Sequence, residues 1–502
     1  MVAFLLGIAM LVTGYFTYGK LVEHILEPDD RATPAVEHPD GVDYVVLPQW
    51  KNMLIQLLNI AGIGPVIGVI LGIKFGSIVF LLIPIGNLIA GATHDFIGGM
   101  MSLRDNGANL PKLIRTTLGR HYANVFQWFM VVLLLLVVAV FINIPAHLAA
   151  DLCPADSTGV CGISWFWSFV VLIFLYYIAA TLFPVDKIIG SLYPYFGAAL
   201  LLGTGALFVM LLARCVASPT LLLESAAFRA KMFTEQDHPI LPMLFVTIAC
   251  GIISGFHATQ SPIIARTMKS EWQARASFYG MMVVEGIIAM IWAGGALVVY
   301  NLKPELMNIV AANVLRPLTT EFLGPWIGGL TVFAVIVLAI TSGDTAMRSL
   351  RLSLAEGLKV PQKSVGSRIL VTIPLILVVC VLLWWSNLQP ASFGKLWNYF
   401  AWANQVLAAS TLMAGAVWLF VRNKNALIAL LPGCFMTYIV MTYILWASPE
   451  HHQAYGFGLP LSLANIIGAV IAYALALFTH DRAKHLKKLM EMHPEMKGTQ
   501  IR

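Results

Sequence analysis

Apolar residues in this chain run in stretches of about 20, the length an α-helix needs to cross roughly 30 Å of hydrocarbon. They lie at 2–19, 52–73, 77–101, 124–149, 164–183, 189–213, 240–262, 276–300, 325–343, 368–387, 396–421, 426–447 and 460–479, which predicts thirteen membrane-spanning helices. The first, Val2 to Gly19, has neither a basic leader nor a small-residue cleavage site, so it reads as a mature helix and not as a signal peptide. Two of the runs are interrupted. One contains Asn59-Ile60-Ala61-Gly62-Ile63-Gly64-Pro65, the other Gly251-Ile252-Ile253-Ser254-Gly255-Phe256-His257-Ala258-Thr259-Gln260-Ser261-Pro262. Glycine, proline and polar side chains loosen a helix whose backbone has no water to fall back on, and they persist where the opened backbone lines a cavity. Two such breaks in matching positions point to the binding site of a secondary transporter.

Composition and charge set the topology. The 502 residues are 59% hydrophobic and 11% charged, against roughly 25% charged in a soluble domain, so the chain reads as polytopic and all-α. The net charge of +6 is no sign of a nucleic-acid partner, because Lys and Arg sit mainly in the loops. Counted on alternate sides of the predicted spans, they divide 24 to 7, which puts the N-terminus outside and the tail, 480–502, in the cytoplasm. Cys215, Cys250, Cys380 and Cys434 lie in or beside spans as small apolar fillers. Cys153 and Cys161 instead bracket a short loop placed outside, where a disulfide can form; no His or further Cys accompanies them to suggest a metal site.

The break recurs five helices after its first appearance, and the two broken helices enter the membrane from opposite sides, as an inverted repeat requires. Residues 52–213 and 240–421 then form two five-helix halves, preceded by 2–19 and followed by two helices within 426–479. This arrangement resembles the LeuT-like fold of the amino acid–polyamine–cation transporter superfamily.

Polar residues inside the spans supply the candidate chemistry. Asn59, Gly62, Gly64 and Pro65, with Ser254, Gly255, Phe256, His257, Thr259 and Gln260, are the candidates for contact with cargo. A proline kink with small-residue helix packing is the alternative for the first group. His257 suits a coupling proton, or else a hydrogen-bonded structural role. Thr341, Ser342 and Asp344 offer oxygen ligands for a sodium ion, while the hydroxyls can equally bond back to their own helix and Asp344 can pair with Arg348 one turn on. Asp95, beside His94, and Glu285 place carboxylates deep in spans, where they mark functional or tightly paired positions. Trp402, Asn404 and Gln405 are explained equally well by hydrogen bonds between helices. No zinc-protease His-Glu-x-x-His or nucleophile-elbow Gly-x-Ser-x-Gly pattern is present, so no enzyme and no organic cofactor is expected. Repeated filter sequences that would suggest a channel are absent too.

With those residues laid out, the chain resembles the carbon starvation protein A family of bacterial inner-membrane transporters. The resemblance rests on Asp30-Arg31-Ala32-Thr33-Pro34-Ala35-Val36, Asp40-Gly41-Val42-Asp43-Tyr44, Ile60-Ala61-Gly62-Ile63-Gly64-Pro65 and Gly91-Ala92 with Asp95-Phe96. It continues through Arg104-Asp105-Asn106-Gly107, Pro184-Val185-Asp186-Lys187-Ile188-Ile189-Gly190, Thr247-Ile248-Ala249-Cys250-Gly251, Ser254-Gly255-Phe256-His257 and Ala403-Asn404-Gln405. It implies ion-coupled uptake of small peptides during carbon limitation, with H+ or Na+ as the coupling ion, or import of pyruvate together with protons. The alternative of another class is an intramembrane sensor or enzyme that does not transport. The chain resembles the family's shorter branch. Where longer members carry a His-His pair before the first break it has Ile55-Gln56, and Gln260-Ser261-Pro262-Ile263-Ile264-Ala265-Arg266 replaces their Ser-Gly-Thr-Thr-Pro-Lys stretch. Both departures fall where cargo is expected.

Overall fold

A computed structural model describes residues 1–41, 44–153, 159, 162–182, 185–235, 238–362, 364–448 and 456–492. Among these residues the repeating structure is helical throughout. The main helices are α1 (Val2–Leu26), α2 (Gln49–Ile60), α3 (Gly64–Phe75), α4 (Val79–Arg104), α5 (Leu110–Thr117) and α6 (Arg120–Ala150). They continue with α7 (Trp165–Leu182), α8 (Val185–Ala217), α9 (short turns at Ile240–Leu244, Phe245–Thr247 and Ala249–Ile252), α10 (Gly255–Ala265) and α11 (Glu271–Leu302). The last are α12 (Ala311–Leu358), α13 (Val365–Ser386), α14 (Pro390–Val421), α15 (Leu427–Trp446) and α16 (Leu461–Met492).

Ten of these helices are long and apolar enough to cross a membrane, and α2 with α3, bent by 54°, makes eleven among the described residues. The thirteen predicted from hydropathy are not all recovered by that measure. The stretch at 164–183 is the shorter apolar helix α7, and 240–262 is divided between α9 and α10 because its backbone opens in the middle. Boundaries shift as well: the first predicted span runs on to Leu26, and the one at 325–343 continues to Leu358. Within α12 the helix is interrupted at Gly324, whose φ of 72° is a left-handed conformation suited to glycine, and Pro325 starts the long second part.

Burial separates the centre of the bundle from its rim. In α11, 89% of the apolar window is buried, against 17% in α16, so α11 is surrounded by protein while α16 presents its side chains to lipid. The polar segment between α1 and α2 is held in place. Val45 and Leu47 donate backbone N–H groups to the carbonyls of Arg266 and Thr267 at 3.2 and 2.9 Å, and the Thr33 hydroxyl donates to Met268 O. Asn52 then exchanges hydrogen bonds with Thr267, donating to its carbonyl at 3.0 Å and accepting from its hydroxyl at 2.8 Å. The end of α10 is therefore tied to the start of α2.

Candidate functional site

The first break opens because the helical pattern of donors fails. Pro65 has no N–H, and the Gly62 N–H turns to Ile60 O at 2.7 Å instead of reaching back one full turn to Leu58. The Leu58 carbonyl is taken by the Ser342 hydroxyl of α12, which donates at 2.9 Å. Gly64, Gly68 and Gly72 then present a bare stripe on α3 to α9. A Cβ on Gly64 would stand 2.1 Å from the Cβ of Cys250, and one on Gly72 would stand 2.1 Å from Ile248 Cγ2. Small residues four apart let two helices approach this closely inside a membrane. The two breaks thus lie side by side.

At the second break Ile253 and Ser254 are extended, and α10 begins at Gly255. Side chains of α14 replace the missing helical partners. Asn404 accepts from the Phe256 N–H at 2.6 Å and donates to Ser254 Oγ at 2.8 Å, while Gln405 donates to Ile253 O at 3.2 Å. Gly255 permits that approach, since a Cβ there would be 2.3 Å from Asn404 O. Phe141 of α6 connects the two breaks. Its ring lies 3.0 Å from where a Gly62 Cβ would be, and its centroid is 6.0 Å from that of Phe256. As an ordinary apolar residue it carries no signal in the sequence.

Beside the breaks lies a buried polar group of unusual density. Both side-chain atoms of Gln56 and of Asn59, and the Oε1 atoms of Gln260 and Gln405, are buried without a hydrogen-bond partner. Each such atom costs about 1–3 kcal/mol. Next to them, His94 Nδ1 is 2.8 Å from Asp95 Oδ1, His257 Nδ1 is 3.0 Å from Asp95 Oδ2, and His257 Nε2 is 3.6 Å from Glu285 Oε2. These four side chains come from α4, α10 and α11 and are at most 1% exposed. His94 Nε2 and both Glu285 oxygens have no hydrogen-bond partner. Alternating imidazoles and carboxylates can hold and pass a proton. Among the described residues no group of three or more His, Cys, Asp or Glu is arranged to hold a metal ion.

The remaining candidates separate. Thr341 donates back to Leu338 O at 2.9 Å within its own helix. Asp344 accepts from the Tyr176 hydroxyl of α7 at 2.6 Å, a partner that spacing along α12 does not reveal, and Arg348 donates to Ala180 O. Thr259 bonds back to Phe256 O at 2.7 Å, and its hydroxyl accepts from Gln260 Nε2 at 2.8 Å. The Trp402 indole donates to Val440 O at 2.9 Å, a link between α14 and α15. Asn87, which the sequence reading passed over, ties α4 to two neighbours by donating to Gly251 O at 3.2 Å and Met282 O at 2.9 Å. An amide in the middle of an apolar run was its signal. The expected pairing of Cys153 with Cys161 falls outside the described residues, because Cys161 is not among them.

Comparison with known proteins agrees with this architecture. A manganese transporter from Eremococcus coleocola superposes with a TM-score of 0.55, covering 89% of this chain and 99% of its own at 13% identity. MhsT in complex with L-phenylalanine superposes at 0.54, covering 87% and 99% at 14% identity. At those identities the likeness is one of fold, and the fold is LeuT-like. By sequence, an uncharacterized membrane protein of Haemophilus influenzae is 39% identical over 62% of this chain and 95% of its own length. The peptide transporter CstA of Escherichia coli is 25% identical over 93% of this chain and 83% of its own. That of Campylobacter jejuni is 28% identical over 57% of this chain, and the match spans only 48% of its length. The model of the family described as carbon starvation protein CstA matches residues 1–166, 164–320 and 310–443, and the chain belongs to that family.

Proposed function

We propose that this chain is a secondary active transporter of the bacterial inner membrane that imports small peptides by ion-coupled alternating access. One observation carries the reading: two broken helices lie side by side, with buried amides lacking partners at Gln56 and Asn59 and a buried amide oxygen lacking one at Gln260. Groups of that kind suit the carboxylate, amide and ammonium groups of a short peptide, which would relieve their desolvation. α3 and α10 both start at the breaks, so their amide ends favour a cargo carboxylate. Relatives named peptide transporters support the choice of cargo. The halves 52–213 and 240–421 would rock against each other, with 2–19 and 426–479 as additions and the N-terminus outside.

The proton is favoured over sodium as the coupling ion. Thr341 and Ser342 donate their hydroxyls to Leu338 O and Leu58 O, which leaves their oxygens open to a cation, so the preference rests on the buried titratable group. The His94–Asp95–His257–Glu285 group has free proton-accepting positions at His94 Nε2 and on Glu285. The test is uptake by purified protein in liposomes. A labelled dipeptide should accumulate under an inward proton gradient, and His257→Gln should abolish accumulation while leaving dipeptide binding within a few-fold. Accumulation of pyruvate and not dipeptide would replace the cargo; no accumulation of either, under a proton or a sodium gradient, would overturn the transporter reading.

A further inference from the structure

A second site lies on the lysine- and arginine-rich face. A cavity of about 770 Å³ is lined by Lys112 and Arg115 of α5, Arg120 at the start of α6, Lys359 at the end of α12 and Arg482 of α16, with Glu356 as the single acid. Five cations converge there from three stretches far apart in sequence, Lys112 to Arg120, Lys359 and Arg482. Positive-inside topology by itself accounts for cations in loops, not for their gathering around one concavity. Several are aimed by the protein. Arg482 Nε donates to Thr117 O at 3.2 Å and Arg115 Nη2 to Asn124 Oδ1 at 3.2 Å. Lys112 is paired with Asp105 at 3.1 Å, while Arg120 and Lys359 have no ion-pair partner among the described residues. The cavity therefore keeps a strong excess of positive charge.

An exposed apolar stripe adjoins the cavity. Trp128 belongs to its wall and is 52% exposed, and Val125 and Val132, one helical face of α6, are 75% and 55% exposed. A cationic basin at the end of an apolar stripe matches a molecule with an anionic head and a hydrocarbon tail. Basic pockets between membrane helices on this side are suited to phosphate-bearing headgroups. We infer that this cavity is a specific binding site for an anionic phospholipid, whose phosphate lies among Arg120, Lys359 and Arg482 and whose acyl chain lies along Val125, Trp128 and Val132. The chemistry it recognises is a phosphate anion, and the apolar stripe assigns that phosphate to a lipid. The inference is independent of what the protein carries.

The full chain, purified in detergent, is titrated with phosphatidylglycerol or phosphatidylcholine and bound lipid is counted by native mass spectrometry. Phosphatidylglycerol should be retained at one molecule per chain and phosphatidylcholine should not. Arg120→Gln/Lys359→Gln/Arg482→Gln should weaken retention on the order of a hundredfold, since each lost charge near the surface removes several-fold of affinity. Lys484→Gln/Lys488→Gln, which removes two exposed cations outside the cavity, should change it less than threefold. A parallel arm adds inorganic phosphate. If millimolar phosphate displaces the lipid or raises the melting temperature as much as the lipid does, the lipid assignment is wrong. Equal retention of the two lipids by the unmodified chain overturns the proposal, whether or not the variants fold.

Discussion

Single side chains hold the breaks open, and Asn404 shows how. Its amide replaces two helical partners at once, accepting from Phe256 N–H and donating to Ser254 Oγ. Asn404→Ala leaves both groups buried and should lower stability by about 1–3 kcal/mol, read as a fall in melting temperature. Asn404→Asp keeps an acceptor for Phe256 N–H and should recover part of that loss; equal loss in both variants would argue against the bond. The sequence showed Asn404 as a polar residue in a span but could not say which partner it meets, because a helix-to-helix bond and a break-to-helix bond need the same side chain. Glu285 and His257 were legible as buried titratable groups for the same reason, while their 3.6 Å approach depends on how α10 and α11 pack. Glu224, in the loop after α8, makes a pH prediction. Burial pushes its carboxyl up, but bonds from the Ser77 N–H and hydroxyl, with the charge of Arg229 nearby, outweigh this and hold it below the ordinary value. A group depressed in the folded state adds stability above its unfolded pKa and loses it as pH falls through the folded one. The protection factor of the Ser77 amide should therefore be high at neutral pH and fall in acid, whereas in Glu224→Gln, which has no carboxyl to titrate, it should start lower and stay flat across the same range.

Helix contacts depend on what is missing as much as on what is present. The sequence reads Gly62, Gly64 and Pro65 as a break, and Gly64, Gly68 and Gly72, spaced four apart, also make a packing face. Only the fold shows that this face meets Cys250 and Ile248. Gly64→Ala should separate α3 from α9 and cost about 1–3 kcal/mol, the range for overpacking a close contact. Cys250→Gly in the same chain removes the Cβ that stands 2.1 Å away and should restore most of the loss. A double-mutant cycle on melting temperature measures this directly; strict additivity would mean that the two residues do not compete for space. The same element shows what hydropathy cannot see. It registers apolar composition, so the run at 240–262 scored as one span although its backbone is extended at Ile253 and Ser254.

At the scale of the whole molecule, the breaks are closed off from the basic face. Between Thr259 and Pro111 lies a cavity, lined also by Ser349, Arg266 and Asn109, that encloses only about 20 Å³, room for about one water molecule. A layer of ions also ties together the ends of α1, α4 and α11. Arg104 pairs with Glu271 at 2.8 Å and donates to the Leu26 and Glu27 carbonyls at 3.1 and 2.6 Å, and Arg31 lies 3.5 Å from Glu271. Arg31 also holds the Asp29 carboxyl well below the usual carboxylate range by donating to it. Because the Arg104 and Glu271 side chains are 9% and 1% exposed, their pairing is shielded from water, and its loss costs more than that of a surface pair. Glu271→Gln keeps an acceptor for the Asp29 N–H but removes the charge that Arg104 and Arg31 share. Opening toward the basic face should then become easier by a factor on the order of ten, the equivalent of about 1.4 kcal/mol. A cysteine at Ser349, in a chain whose native cysteines have been replaced, reports the opening through its rate of reaction with a membrane-impermeant thiol reagent applied to that face. The rate should be slow with Glu271 present and rise about tenfold in Glu271→Gln, while reaction from the opposite face falls or stays the same. A rise from both faces would mean that the bundle has loosened as a whole, and no rise would mean that the ion layer does not gate this opening.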